Sequence, residues 1–343
     1  GGAVISGASS ELKEFVEKIQ APVCDTLMGK GAFDGTDAKY TGMLGMHGTK
    51  TSNYGVSECD LLIAVGVRFS DRVIGNAAKF ARHAKILQID IDPAEINKNI
   101  MVDASVIGDI KEVLIRLNSR IKPMEHDAWL SHINEYTKKY PLVYREEGLS
   151  GPYMMKTVYN MTKGNAIVVT EVGQHQMWAA QFYKYAKPRT LITSGGLGTM
   201  GYGLGAAIGA QIANPDQTVV NIAGDGCFRM NMNEIATAVR QKLPLIEIIV
   251  NNHVLGMVRQ WQNLIYKKRF SETTLDRGPD FVKLAEAYGL AGFRATTMAE
   301  MEQAFAAALE AGRGCVIDCV LDMDEMVRPM VAGGAHITDF LLK

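Results

Sequence analysis

Thr218-Val219-Val220-Asn221-Ile222-Ala223-Gly224-Asp225-Gly226 and Leu245-Ile246-Glu247-Ile248-Ile249-Val250-Asn251-Asn252 are the stretches that decide how this chain folds. Each is a short apolar run that stops on a glycine or polar turn, the pattern of a parallel strand covered on both faces. Residues 231–241 between them carry helical apolar spacing. Strand, helix, strand in that order makes a parallel pair and brings Asp225 and Asn252 out at the same carboxyl edge, where ligands of such sheets sit. A carboxylate and an amide oxygen are a suitable protein share for Mg2+, which takes six oxygens and draws several from phosphate and water. The glycines beside Asp225 let backbone N–H groups approach phosphate oxygens, and the helix that follows adds its N-terminal donors. Alone, a Gly-Asp-Gly turn is most often a plain strand-to-helix connection.

Working outward, further buried strands are expected at residues 166–170, 190–193 and 315–321, with helices at 153–161, 202–213, 280–288 and 299–310. They define an α/β domain over residues 151–327. In the first half, Leu12, Phe15, Val16 and Ile19 give residues 11–20 one apolar helical stripe. Strands at 61–65 and 86–91 and a helix at 110–121 complete a second α/β domain over residues 1–122. Residues 123–150, with one amphipathic helix at 129–136, read as a linker, and 328–343 as a C-terminal segment. The expected fold class is therefore α/β, two doubly wound domains with parallel sheets. Residues 1–7 read as the tail of a strand and a glycine turn without an initiator methionine, as if cut from within a longer protein.

Composition sets the remaining bounds. A chain of 343 residues exceeds one ordinary core, and 47% hydrophobic with 21% charged residues suits two globular domains. The 36 basic and 37 acidic residues are interspersed, which argues against a nucleic-acid or membrane partner and for a small molecule. Five cysteines without zinc or redox spacing fit a reducing, cytoplasmic setting, with Cys315 and Cys319 in one buried strand. No apolar run has the roughly 18 residues of a membrane span.

Three further stretches carry a resemblance: Glu171-Val172-Gly173-Gln174-His175-Gln176-Met177-Trp178, Gly195-Gly196-Leu197-Gly198-Thr199-Met200-Gly201-Tyr202-Gly203, and Gly256-Met257-Val258-Arg259-Gln260-Trp261-Gln262. Taken singly, a buried histidine is more often structural, a glycine cluster is usually close packing, and a Met and Trp at i, i+4 are usually core contacts. Together they resemble the catalytic subunit of acetolactate (acetohydroxyacid) synthases, which use thiamine diphosphate, and the distance from Gly224-Asp225-Gly226 to Asn251-Asn252 matches that cofactor's diphosphate motif. The resemblance implies Mg2+ held by Asp225, Asn252 and the carbonyl of Val254, with Gly224, Gly226 and Cys227 beside the diphosphate. It implies Val172, Gly173, Gln174 and His175 at the same end, the last two at the far phosphate oxygens. It gives the carbonyl of Gly198 to the 4′-amino group, and makes Met200 the wedge that bends the cofactor and brings its amino nitrogen to the reactive carbon. Trp261, with Met257 beside it, would line the pocket that favours 2-ketobutyrate as second substrate.

In the first domain Leu44-Gly45-Met46-His47-Gly48, Gly66-Val67-Arg68-Phe69-Ser70-Asp71-Arg72, Asp90-Ile91-Asp92-Pro93 and Gly108-Asp109-Ile110 resemble the flavin-binding middle domain of the same family. That implies FAD held by Leu44, Gly45, Met46, His47, Gly66, Arg68, Arg72, Asp90, Ile91 and Asp109, through glycine turns at the pyrophosphate and acids at ribose hydroxyls. The flavin would be structural, because the reaction has no net redox change. Met46 and Arg72 are also implied at the catalytic site, Arg72 binding a ketoacid carboxylate by two parallel hydrogen bonds; the plain alternative for Arg72 is a surface ion pair near Asp71. Gly205, Cys227 and Ser70 depart from the family's usual Pro, Ser and Asp. Residues 328–334 resemble its lid, with the double proline weakened.

The implied activity is that of a transferase: pyruvate is decarboxylated and its two-carbon unit is joined to pyruvate or 2-ketobutyrate, the first common step of branched-chain amino-acid synthesis. A homo-oligomer, dimer or tetramer, and a small regulatory subunit come with the family. So does a carboxylate beside the pyrimidine ring, contributed by a neighbouring subunit's pyrimidine-binding domain that this sequence does not contain and that Glu171 does not replace. The chain is accordingly expected to be the middle and diphosphate domains of a longer enzyme, inactive by itself. Alternatives are another thiamine enzyme, such as a pyruvate oxidase or glyoxylate carboligase, and a non-catalytic cofactor-binding module; Arg72 and Trp261 together favour the synthase.

Overall fold

The computed structural model describes residues 1–145 and 147–341. Glu146 of the expected linker and Leu342 and Lys343 of the expected C-terminal segment lie outside the described residues. The chain divides into two compact units: Gly1–Leu142 with Tyr185–Arg189 and the chain from Arg328, and Val143–Lys184 with Thr190–Val327. Both are mixed α/β with parallel strands.

The second unit is built on a six-stranded sheet. Its strands are β6 Ile167–Thr170, β7 Leu191–Thr193, β8 Val219–Gly224, β9 Ile246–Asn251, β10 Ala291–Ala295 and β11 Cys315–Val320, in the spatial order β10-β11-β9-β8-β6-β7. Every neighbouring pair is parallel. All residues of β6, β8 and β9 are buried, as strands covered on both faces by helices must be. Phe228 and Phe281 meet edge-to-face at 5.6 Å between ring centroids in the core on one side. Cys315 and Cys319 are buried in β11, as expected from the sequence.

β10 has no counterpart in the expected strands, because Gly292 and Arg294 interrupt its apolar pattern. Its register on β11 and the bonds from Arg294 to Asp318 (3.1 Å) and Asp280 (2.7 Å) hold it at the sheet edge. The helix expected over 231–241 is instead a helix Asp225–Asn231, a 3-10 turn Met232–Glu234 and a helix Ile235–Arg240.

The first unit contains two small sheets. β1 Val23–Asp25 pairs with β2 Tyr40–Met43, and β3 Leu61–Val65, β4 Lys85–Asp90 and β5 Ala104–Ile107 form the other, in that order. Helix Ser9–Ile19 buries Leu12, Phe15, Val16 and Ile19, the stripe read from the sequence. Residues 2–5 are helical, which corrects the expectation of a strand tail. Gly2 is pressed against the turn after β3, where its N–H reaches the Gly66 carbonyl at 3.2 Å and an added Cβ would stand 2.8 Å from the Gly66 Cα.

Residues 123–142 of the expected linker pack with the first unit through helix Asp127–Lys139, which buries Ile133, while 143–150 go with the second. The segment from Arg328 also belongs to the first unit. Val331 N–H donates to the Met46 carbonyl at 2.8 Å, and Asn53 Nδ2 donates to the Ile337 carbonyl at 2.7 Å. Among the described residues no helix is long and apolar enough to cross a membrane.

Candidate cofactor site

At the carboxyl edge of the second unit's sheet, the turns after β6, β8 and β9 surround a cavity of about 80 Å³. β8 runs straight into helix Asp225–Asn231, so Asp225 stands at a helix N-terminus with its side chain buried. Burial pushes its carboxyl up to about 7; Arg229 and the backbone N–H groups of Gly226 and Asp225 oppose this less strongly. Asp225 Oδ2 is buried and has no hydrogen-bond partner. A desolvated, unpartnered carboxylate oxygen aimed into a cavity is what a cation site requires.

Asn252 and Val254, just past β9, line the same cavity and are 6% and 2% exposed. The Asn252 amide oxygen accepts from the Val254 N–H at 3.3 Å, and its nitrogen donates to Gln174 Oε1 at 3.2 Å. The loop is clamped by the bridge from Val254 to Thr274 and by the Leu255 N–H to the Thr273 carbonyl (2.8 Å). Among the described residues no three His, Cys, Asp or Glu side chains converge as a metal cluster. A cation here would therefore be held by one carboxylate, neutral oxygens and its ligand's phosphates. The residues fit a Mg2+-diphosphate.

The turn after β6 contributes Val172, Gly173, Gln174 and His175 to the wall. His175 Nε2 accepts the Gly224 N–H at 3.3 Å, which fixes the tautomer protonated at Nδ1. Burial depresses its pKa to about 3, so the ring is neutral. Gly173 and Gly224 are demanded by this ring: an added Cβ on either would stand 2.8 Å from its Cε1. Gly226, Cys227, Met200 and Met257 complete the lining named from the sequence. The Cys227 thiol donates to the Val172 carbonyl at 3.1 Å, and burial raises its pKa to about 12, so it is unreactive. Gly198 and Trp261 are not among the lining residues; Gly198 is exposed in the left-handed region (φ 66°) and Trp261 is half-buried a turn beyond Met257.

Glu171 is fully buried and accepts from the N–H groups of Gly201 (2.8 Å) and Leu204 (3.3 Å), so its carboxylate stabilises the start of helix Gly203–Ala213. Sequence reading gave no role to Gln260. It is the buried residue of helix Gly256–Leu264, accepts from Gln174 Nε2 (2.9 Å) and the Val327 N–H (2.8 Å), and donates to the Val327 carbonyl (3.1 Å). Gln174 also donates to the Glu325 carbonyl at 2.7 Å. The signal was present: a glutamine on the buried stripe of an amphipathic helix must be hydrogen-bonded.

In the first unit, Gly66, Asp90 and Asp109 stand at the carboxyl ends of β3, β4 and β5. Gly66 has a left-handed backbone (φ 62°), and an added Cβ would also stand 2.6 Å from Gly2 Cα and Ile110 Cδ1. Asp109 caps helix Ile110–Asn118 and Asp90 accepts from the Asp92 N–H at 3.1 Å. Arg68 is exposed beside this edge, and Ile91 is 67% exposed. Leu44, Gly45, Met46 and His47 follow β2 and are buried, and Met46 N–H donates to the Arg72 carbonyl at 2.8 Å. Burial lowers the His47 pKa to about 4. Arg72 Nη1 pairs with Asp71 Oδ2 at 2.6 Å on the surface, the plain alternative for it.

The central-domain model of the thiamine pyrophosphate enzymes matches residues 1–117, and the model of their C-terminal TPP binding domain matches residues 171–319. The chain is 44% identical to a probable acetolactate synthase large subunit of Methanocaldococcus jannaschii, over 99% of this chain and 59% of that protein. It is 44% identical to the acetolactate synthase large subunit of Pyropia yezoensis (97% and 58%) and 42% identical to the isozyme 2 large subunit of Escherichia coli (100% and 62%). The chain thus spans about three-fifths of the length of these relatives. With both domain models in sequence order and the second centred on the cavity just described, the chain belongs to the thiamine pyrophosphate enzyme family.

Proposed function

We propose that the chain is the central and cofactor-binding part of an acetolactate synthase catalytic subunit, which decarboxylates pyruvate and joins the two-carbon unit to pyruvate or 2-ketobutyrate. The observation that carries the cofactor reading is the unpartnered, buried Asp225 Oδ2 facing Asn252 and Val254 across one cavity. Asp225, the Asn252 amide oxygen and the Val254 carbonyl would hold Mg2+, and the backbone around Gly224 and Gly226 would receive the diphosphate. Bound thiamine diphosphate supplies the electron sink for loss of carbon dioxide from a 2-ketoacid. Met200, Leu255 and Met257, which line the same cavity, would form an apolar wall that keeps water from the ring end. Gln174, held by Gln260 and the Glu325 carbonyl, positions the Asn252 amide. Trp261 would set the preference for the second substrate.

We extend the reading to FAD on the first unit, with Gly66, Asp90 and Asp109 at one sheet edge and the exposed cations Arg68 and Arg72 as phosphate and carboxylate partners. A homo-oligomer and a small regulatory subunit belong to the same proposal, because the relatives are named as large subunits. The test has two parts. Calorimetry on the 343-residue chain should give saturable thiamine diphosphate binding that requires Mg2+. Product analysis with pyruvate on the polypeptide that carries this chain should give 2-acetolactate; acetyl phosphate or tartronate semialdehyde would overturn the synthase reading.

A further inference from the structure

A side-chain amide has two ends of nearly the same shape and opposite chemistry: the oxygen accepts hydrogen bonds and the nitrogen donates them. Asn252 can serve a cation only through its oxygen, so something must decide which end faces the cavity. The bond from the Val254 N–H to Asn252 Oδ1 favours the oxygen, but at 3.3 Å it is long, and it draws on the atom that the cation would use. A second determinant lies on the other side of Asn252, in a chain of amides that leads away from the cavity.

Gln174, Gln260 and Asn252 are 4%, 2% and 6% exposed, so their amides must find partners within the protein. Val327 fixes the far end. Its N–H can only donate, to Gln260 Oε1 at 2.8 Å, and its carbonyl can only accept, from Gln260 Nε2 at 3.1 Å. Gln260 Oε1 also faces Gln174 and takes the Gln174 Nε2 donor at 2.9 Å. The Glu325 carbonyl accepts from the same nitrogen at 2.7 Å. With its nitrogen committed twice, Gln174 has its oxygen left for Asn252, which answers with Nδ2 at 3.2 Å. The Asn252 oxygen is thereby left for the cavity side. The reference segment is itself anchored, because Glu325 Oε2 accepts the Gly151 N–H at 3.3 Å, at the start of helix Gly151–Thr162. Packing leaves the relay little slack: an added Cβ on Gly256 would overlap Gln174 Oε1 and stand 2.7 Å from Asn252 Nδ2.

We propose that Gln260 is a positioning residue whose amide polarity, set by the backbone of Val327, passes through Gln174 to Asn252 and presents the Asn252 oxygen to the cation. Reversing one of the three amides would set oxygen against oxygen or nitrogen against nitrogen at a buried contact, and the unmet groups hold such a network in one orientation. The inference rests on the reading of Asn252 as a cation ligand. It also separates two substitutions. Glutamate at this position keeps an accepting oxygen for Gln174 in either protonation state and, when protonated, a donor for the Val327 carbonyl. Leucine keeps most of the volume and removes the polarity.

The test uses the 343-residue chain and its Gln260→Leu and Gln260→Glu variants, with calorimetry of thiamine diphosphate at increasing Mg2+. Gln260→Leu should raise the half-saturating Mg2+ concentration at least about tenfold, and Gln260→Glu should leave it within about threefold. In an Asn252→Asp background both ends of the side chain are oxygen and orientation no longer matters, so Gln260→Leu should cost less than about twofold there. Equal losses in the two backgrounds would mean that Gln260 only supports the fold, and would overturn the proposal. So would a Gln260→Leu chain that binds like the unaltered one, or a Gln260→Glu chain that loses as much as Gln260→Leu. A second measurement needs no cofactor. In the metal-free chain the side-chain N–H protons of Gln174 and Asn252 should resist hydrogen exchange, also in Gln260→Glu, and exchange at least about tenfold faster in Gln260→Leu. A chain that binds neither Mg2+ nor thiamine diphosphate would fail the cofactor reading and this proposal with it, whereas equal protection in all three chains would fail this proposal alone.

Discussion

Asp225 answers two opposed demands. Without a cation its carboxylate is buried and unpartnered, and its pKa stands at about 7 against an ordinary 3.8. Between those two pH values the folded chain keeps a proton that the unfolded chain has released, so stability from this group falls as pH rises from 4 to 7 and is fully lost above 7. The difference is on the order of 4 kcal/mol. In metal-free buffer, Asp225→Asn should therefore raise the unfolding free energy at pH 8 by up to about that amount and leave it nearly unchanged at pH 4, which urea titration at both pH values measures. The same substitution should weaken Mg2+-dependent thiamine diphosphate binding at least about 100-fold, roughly 2.8 kcal/mol. Trp261→Leu should leave cofactor affinity within about twofold, well under 1 kcal/mol, and shift the product ratio away from 2-ketobutyrate. Legibility at this scale followed backbone logic. Asp225 and Asn252 were readable because strand ends are readable, whereas the roles of Gln260 and of the Glu325 carbonyl depend on contacts 67 to 151 residues apart along the chain.

At the scale of elements, what the sequence disclosed was set by how well each segment's own pattern agreed with its burial. The apolar runs of β6, β8, β9 and β11 were legible because both faces are covered, and that of β3 because its five residues are apolar without a break. β10 was not, because Arg294 earns its place only through Asp318 and Asp280 on other elements. The first residues misled for the opposite reason: the apolar triad Ala3-Val4-Ile5 next to glycines has the composition of a strand end, yet residues 2–5 form one helical turn with Gly2 pressed against Gly66. The glycines after β6 and β8 were expected to make room for phosphates, and the structure adds a neighbour, the His175 ring. Gly224 has ordinary extended backbone angles (φ −78°, ψ 151°), so a side chain there meets steric trouble without conformational strain. Gly224→Ala should cost about 1–3 kcal/mol by displacing the ring, seen as a lower urea midpoint at unchanged slope, and should weaken cofactor binding in the same assay.

The whole molecule divides its stability unevenly. The order of strands and helices foretold two α/β domains, but no local pattern could say that residues 185–189 and the chain from Arg328 pack with the first unit, since only long-range contacts decide it. The second unit has a fully buried central sheet, while the first carries a cavity of about 220 Å³ beside half-buried strands. Chains of two such units need not unfold in one step. Urea denaturation of the 343-residue chain should accordingly show two transitions, the amides of β1 and β3 losing protection before those of β8 and β9. Thiamine diphosphate with Mg2+ binds only the folded second unit in this scheme, so at about one hundred times its dissociation constant it should stabilise that unit by roughly 2.7 kcal/mol. The later transition should move to higher urea and the earlier one stay where it was. A single transition that shifts as a whole with cofactor would mean that the two units unfold together and that the half-buried strands of the first are not its weak point.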